Sequence, residues 1–208
     1  MINFLPENFE DFPDVSKSND FGLLAVGGNL FPETLLKAYS KGIFPWYNEG
    51  EPICWYAPKE RCVVFPNKVK VSKSMQQVLK NGKFTVTKNK AFEQVIQNCA
   101  SVYRNSQQGT WIVEEMQQAY IRLHQLGFAS SIEVWLEGQL VGGLYGIEQK
   151  RIFCGESMFS KVSNASKVAF IHLCRDYNYE LIDCQIENPH LISLGAEMIS
   201  RAHFSKYL

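Results

Sequence analysis

Between Ser131 and Cys154 the chain passes through three apolar, β-prone stretches with almost no sequence between them. Ser131–Leu136 is joined to Leu140–Ile147 through Glu137-Gly138, a pair suited to a tight hairpin connection. Arg151–Cys154 follows at once. Strands joined this closely form an antiparallel meander, because a parallel pair needs a crossover of a dozen or more residues. A helical run from Ala165 to Tyr177 comes next, with Ser163 or Asn164 as its cap, and then the apolar strand L-I-D-C at Leu181–Cys184.

The meander carries unusual residues. Gly142, Gly143 and Gly146 lie inside its second strand, and glycine in a strand interior marks close approach of a ligand or another backbone. Gly155-Glu156-Ser157 is expected to end the third strand in a loop of small polar residues. It leaves one carboxylate, Glu156, among small neighbours. Either a site or a structural carboxylate held by backbone N–H groups fits, since a buried carboxylate needs partners in both cases.

The rest of the chain supplies the other layers. Pro32 to Lys41 reads as a helix with proline at its start and Gly42 past its end. An aromatic, turn-rich segment from Gly42 to Pro58 reads as a small lobe or a long shaped loop. Arg61–Phe65 is a strand, Ser72 caps a helix that ends at Asn81-Gly82, and Lys83–Thr87 is a strand. Apolar spacing predicts helices from Phe92 to Tyr103 and from about Glu114 to Leu126. The tail from His190 to Phe204 reads as a helix followed by a last strand. We expect a small N-terminal lobe, residues 1–62, ahead of a domain spanning 63–208. The fold class is α/β, a mixed sheet flanked by helices, and its element order fits an N-acetyltransferase-like fold.

With 208 residues, 46% hydrophobic and 20% charged, the chain has the composition of an ordinary globular protein. No apolar run is long enough to span a membrane, and the acidic N-terminus predicts no secretory signal. Six scattered cysteines form no C-x-x-C or zinc-finger spacing and are expected to be reduced core thiols in a cytosolic protein. Net charge is zero, so bulk attraction to nucleic acid is not indicated, yet seven lysines between Lys68 and Lys90 make the middle basic. No P-loop, dinucleotide fingerprint or metalloprotease motif is present.

Other residues stand out with two readings each. Asp183 and Gln185 flank Cys184, and strand alternation puts both on one face. They read as a capping pair before Asn188-Pro189 or as polar groups for handling an amine. Gln185 is no general base, but Asp183 can accept a proton or act as a charge. Trp46 and Trp111 sit in loop contexts and serve lobe packing or base stacking. Leu144, Phe153, Met158 and Phe170 are core by periodicity, or a pocket beside the glycines.

Taken together, G-L-L-A-V-G-G-N-L, A-Y-S-K-G-I-F-P-W-Y, G-T-W-I, I-E-V-W, L-V-G-G-L-Y-G, F-C-G-E-S-M-F-S, N-A-S-K, L-I-D-C-Q and S-L-G-A give a specific resemblance. From about Gly22 to Phe204 the chain resembles the leucyl/phenylalanyl-tRNA–protein transferases. The resemblance implies transfer of Leu or Phe, and Met less well, from aminoacyl-tRNA to an N-terminal Arg or Lys of an acceptor protein. It implies marking for N-end-rule degradation, a cytoplasmic monomer, and no metal or added cofactor. By motif, Trp46 and Trp111 would hold the terminal adenosine. Leu144, Phe153, Met158 and Phe170 would line the aminoacyl side-chain pocket. Glu156 would position the aminoacyl-adenosine, with Asp183 and Gln185 acting on the amine. The family usually has Arg where Lys161 stands and often Met where Leu144 stands. An acyl-CoA-dependent N-acyltransferase on the same fold would need a glycine-rich loop where K-V-S-N-A-S-K stands. A non-catalytic RNA-binding protein is the other alternative.

Overall fold

The computed structural model describes residues 2–101 and 112–208. The chain forms two sheets. The first uses β1 (Asn3–Leu5), β2 (Leu23–Gly27), β3 (Phe44–Pro45) and β4 (Cys54–Tyr56) in the order β1-β2-β4-β3, with helix α1 (Pro32–Ser40) between β2 and β3. The remaining strands form the second sheet: β5 (Glu60–Val64), β6 (Thr85–Lys88), β7 (Ala129–Leu136), β8 (Gln139–Gln149), β9 (Ile152–Ser160), β10 (Leu181–Gln185) and β11 (Glu197–Ser200). Its order is β11-β5-β10-β9-β8-β7-β6. Helices α2 (Lys73–Lys80), α3 (Phe92–Ser101), α4 (Glu114–Gln125), α5 (Ala165–Asp176), α6 (Pro189–Ser193) and α7 (Arg201–Phe204) complete it.

The meander β7-β8-β9 is antiparallel, and β10 returns parallel to β9 through the α5 crossover. That is the element order expected of an N-acetyltransferase-like fold. Glu137 and Gly138 both take positive φ, as a two-residue primed turn requires. Helices α3 and α4 pack Val95, Ile96, Met116 and Leu123 into a core on one face of the sheet, and this core also takes in Leu24 and Trp55 of the first sheet. On the opposite face α5 buries Val168, Phe170 and Ile171 against Ile132, Phe153 and Ile182.

The glycines of β8 answer to backbone rather than ligand. A Cβ on Gly142 would lie 2.5 Å from the Ala165 Cβ at the start of α5, and one on Gly146 would lie 2.1 Å from the Cys154 carbonyl oxygen. Two expectations are corrected. The third meander strand does not stop at Cys154 but runs through Gly155-Glu156-Ser157 to Ser160, because pairing with β8 continues where local propensity is weak. The tail is a one-turn helix, a strand and a further short helix. Pro189 opens the first, and Gly195 at φ +103° ends any continuation. The first sheet was not foreseen beyond α1. Its strands are two to five residues long and broken by Gly and Pro.

Candidate active site

Parallel pairing of β9 with β10 ends at the Asp183–Cys154 register; further on, β9 stays with β8 and β10 with β5. A cavity of about 660 Å³ opens where the strands part, at their C-terminal ends, the usual place for a ligand in parallel sheets. A β-bulge sits on each side. Tyr145 pairs with Ser157 and Gly146 with Gly155, so Glu156 is the extra residue of β9. Asp183 pairs with Val63 and Gln185 with Cys62, so Cys184 is the extra residue of β10, and Gln185 follows at φ +62°. Bulges re-aim side chains, and here they turn Glu156 and Gln185 toward each other.

Glu156 is 8% exposed and gathers three polar groups. Tyr39 Oη donates to its Oε1 at 2.7 Å, Gln185 Nε2 donates to the same oxygen at 2.9 Å, and Tyr120 Oη donates to Oε2 at 3.0 Å. The two phenols also meet at 2.5 Å. Burial pushes the Glu156 carboxyl up to about 7, against the opposing pull of these hydrogen bonds. Burial raises both phenols well above their ordinary value, so they stay protonated donors.

Asp183 has no exposed surface. Arg61 Nε and Nη2 grip its two oxygens at 2.8 Å each, and the Gln185 backbone N–H donates to Oδ1 at 2.9 Å. Arg61 also donates to the Gly42 carbonyl at 2.9 Å and packs 4.7 Å from the ring centres of Phe44 and Phe204. Asp183 is thereby fixed beneath the bulge, and Gln185 alone of the pair lines the cavity.

Leu144, Phe153, Met158 and Phe170 all line the cavity, and Leu144, Phe153 and Phe170 belong at the same time to the core under α5. The two readings of these residues are therefore compatible. Trp46 lines the opposite wall, tilted against Tyr56 with ring centres 5.8 Å apart. Trp111 lies outside the described residues. His190 lines the cavity, and burial lowers its pKa. His124 stacks on Phe92 and bonds the Ala129 carbonyl, a structural role. Tyr39, Tyr120 and Arg61 were missed by sequence reasoning. Each sits in a helix or strand whose pattern accounts for it, so only the charge at the head of R-C-V-V-F gave any signal.

The family model described as leucyl/phenylalanyl-tRNA protein transferase matches residues 63–208, and that of the same enzymes' N-terminal domain matches residues 28–59. A leucyl/phenylalanyl-tRNA–protein transferase of Flavobacterium psychrophilum is 53% identical, covering 100% of this chain and 99% of its own. That of Flavobacterium johnsoniae is 54% identical over 95% and 94% of the two chains, and that of Christiangramia forsetii 54% identical over 96% of each. A solved GCN5-related N-acetyltransferase from Kribbella flavida is a distant likeness, with a TM-score of 0.40 and 9% identity over 80% of this chain and 60% of that one. With matches of this level across its whole length, the chain belongs to the leucyl/phenylalanyl-tRNA–protein transferase family.

Proposed function

We propose that the cavity receives the aminoacyl-adenosine end of an aminoacyl-tRNA and that the enzyme moves Leu or Phe, and Met less well, onto the N-terminal Arg or Lys of an acceptor protein. Family membership supports this, and so does one feature above the rest: an apolar cavity with the Glu156–Gln185 pair in its lining. Leu144, Phe153, Met158 and Phe170 take the amino-acid side chain. A methylene changes such selectivity by only about 1–3 kcal/mol, so overlapping substrates follow. Trp46, with Trp111, stacks on the adenine.

The reaction is aminolysis of an activated ester and runs downhill to an amide. What remains is to orient the amine, remove a proton and stabilise charge. Gln185 gives its Nε2 to Glu156, which leaves its amide oxygen for an N–H of the incoming amine. The negative charge of ionised Glu156 favours the positive nitrogen of the tetrahedral intermediate. The amine proton ends on the departing ribose oxygen, directly or through water. Asp183 acts here through position: paired with Arg61, it holds the backbone N–H of Gln185.

We further infer a lobe at residues 1–62 and a catalytic domain at 63–208; the chain changes sheet a few residues before that boundary, between Tyr56 and Glu60. A cytoplasmic monomer feeding N-end-rule degradation fits the chemistry, and no helix among the described residues is long and apolar enough to cross a membrane. Labelled Phe-tRNA or labelled acetyl-CoA, mixed with the protein and an Arg-terminal peptide, tests the reading. Label should reach the peptide from tRNA alone. Transfer from acetyl-CoA, or tRNA binding without transfer, would overturn it.

A further inference from the structure

We propose that Cys62 and Cys184 form an oxidation site, a cross-strand disulfide that closes at the wall of the cavity and pulls Gln185 out of register with Glu156. Cys62 on β5 faces the bulge of β10, where Cys184 and Gln185 together oppose it. Both cysteines belong to the core under α5, so their side chains leave the sheet on the same face. The Cys184 thiol donates to the Ile182 carbonyl at 3.8 Å, within its own strand. The register pairs the Cα of Cys62 with that of Gln185, and Cys184 is the adjacent bulge residue, so a disulfide, which needs Cα atoms roughly 4.4–6.8 Å apart, closes with a shift of the bulge.

Reactivity and access are divided between the partners. The Cys184 side chain and then the Asn188 backbone N–H hold the Cys62 thiol below its ordinary value, although it is fully buried. Cys184 is half-buried and lines the cavity, through which a small oxidant arrives. Of the other four cysteines, Cys54 lies on the first sheet, Cys99 in α3 and Cys154 in β9, while Cys174 in α5 shares the core with the pair and is the competing partner for Cys184.

With hydrogen peroxide as oxidant, the two thiols lose two protons and two electrons. The S–S bond forms, the O–O bond breaks, and two waters leave. A dithiol such as dithiothreitol reverses the step by exchange. Closure draws the Cys184 backbone toward β5. Gln185, the next residue, holds a left-handed conformation set by that bulge, and its 2.9 Å bond to Glu156 is lost. The consequence for transfer rests on the role proposed for Gln185; the cross-link does not.

The test treats the reduced protein with hydrogen peroxide and follows two readouts, peptide mapping of disulfides and Phe transfer to an Arg-terminal peptide. The expected result is a Cys62–Cys184 cross-linked peptide and transfer reduced roughly 10–100-fold, as misplacement by about 1 Å can do. Dithiothreitol should restore activity, and Cys62→Ala should transfer normally and resist peroxide. Both thiols remaining free, or a disulfide to another cysteine, would overturn the site. A mapped cross-link with unchanged transfer, or a Cys62→Ala variant as sensitive as the parent, would overturn its effect on Gln185. Mapping needs no substituted protein, and a protein inactive before oxidation would fail the functional reading while leaving the cross-link testable.

Discussion

Asp183 shows how little a residue's type says about its task. Two residues before Gln185, it looks like a base, yet Arg61 takes both its oxygens in a site with no exposed surface. Removing one partner of such a pair leaves a buried charge uncompensated, at a cost of about 3–5 kcal/mol. Asp183→Asn should therefore lower the urea midpoint and the transfer rate together. An unchanged midpoint with transfer abolished would mean that Asp183 acts on the proton itself. Glu156 makes the complementary case. Its pKa rises from 4.5 to about 7 mainly through burial, so the folded state binds the proton more tightly than the unfolded chain. Its contribution to stability thus falls as pH rises from 4.5 to 7. Activity has the opposite dependence, since the ionised form accepts the hydrogen bond of Gln185. An acceptor α-ammonium titrates near ~8, so log rate should fall with a slope of about one below that pH and about two below about 7. Glu156→Gln should show a slope of about one throughout. A wild-type profile without the second break would count against an ionised Glu156.

At the scale of the elements, the hairpin β8-β9 positions the chemistry. Gly146 pairs with Gly155 beside the bulge that presents Glu156, and a Cβ there would meet backbone, the Cys154 carbonyl, at 2.1 Å. Gly146→Ala should lower stability by about 1–3 kcal/mol in urea unfolding and also depress transfer, because the strands must shift at the bulge. Wild-type transfer would show that the bulge tolerates that shift. The meander, α5 and the return strand were readable because their patterns are strong: closely spaced apolar, β-prone stretches, an E-G turn, and a helical run. The first sheet was hidden by its short strands, whose pairing is decided by partners such as Trp55, with its indole N–H on the Gly27 carbonyl. The site was half readable. The lone carboxylate and the apolar wall follow from local pattern, whereas the alternation expected to put Asp183 and Gln185 on one face is broken by the bulge at Cys184, and of the two only Gln185 lines the cavity. Tyr39, Tyr120 and Arg61 did not stand out, since a tyrosine on an apolar helix face reads as core until tertiary structure brings a carboxylate to it. The Gly155–Ser157 segment was misjudged for the same reason: small residues read as loop, and only the β8 ladder keeps them in a strand.

Across the whole molecule, Glu156 is one point where the two sheets are coupled. Tyr39 comes from α1, beside the first sheet, and Tyr120 from α4, against the second, and the phenols meet over one carboxylate. Trp46 reaches the cavity wall from the first sheet's side as well, and Arg61 ties Asp183 to the Gly42 carbonyl that follows α1. The N-terminal residues thus complete the site rather than cover it. A change in α1 should then be felt in the titration of a residue on β9. Tyr39→Phe removes a hydrogen bond that favours the ionised carboxylate, so the Glu156 pKa should rise and the steeper limb of the pH–rate profile should move upward. A hydrogen bond to a charged group contributes about 1.5–3 kcal/mol, so the rate at neutral pH should fall roughly 10–100-fold. Folding stability should change by only about 1 kcal/mol, because the ring remains packed. The profile separates this coupling from simple loosening. A loosened lobe lowers the rate at every pH and leaves the limb in place, and that result would exclude Tyr39 as a positioning residue for Glu156.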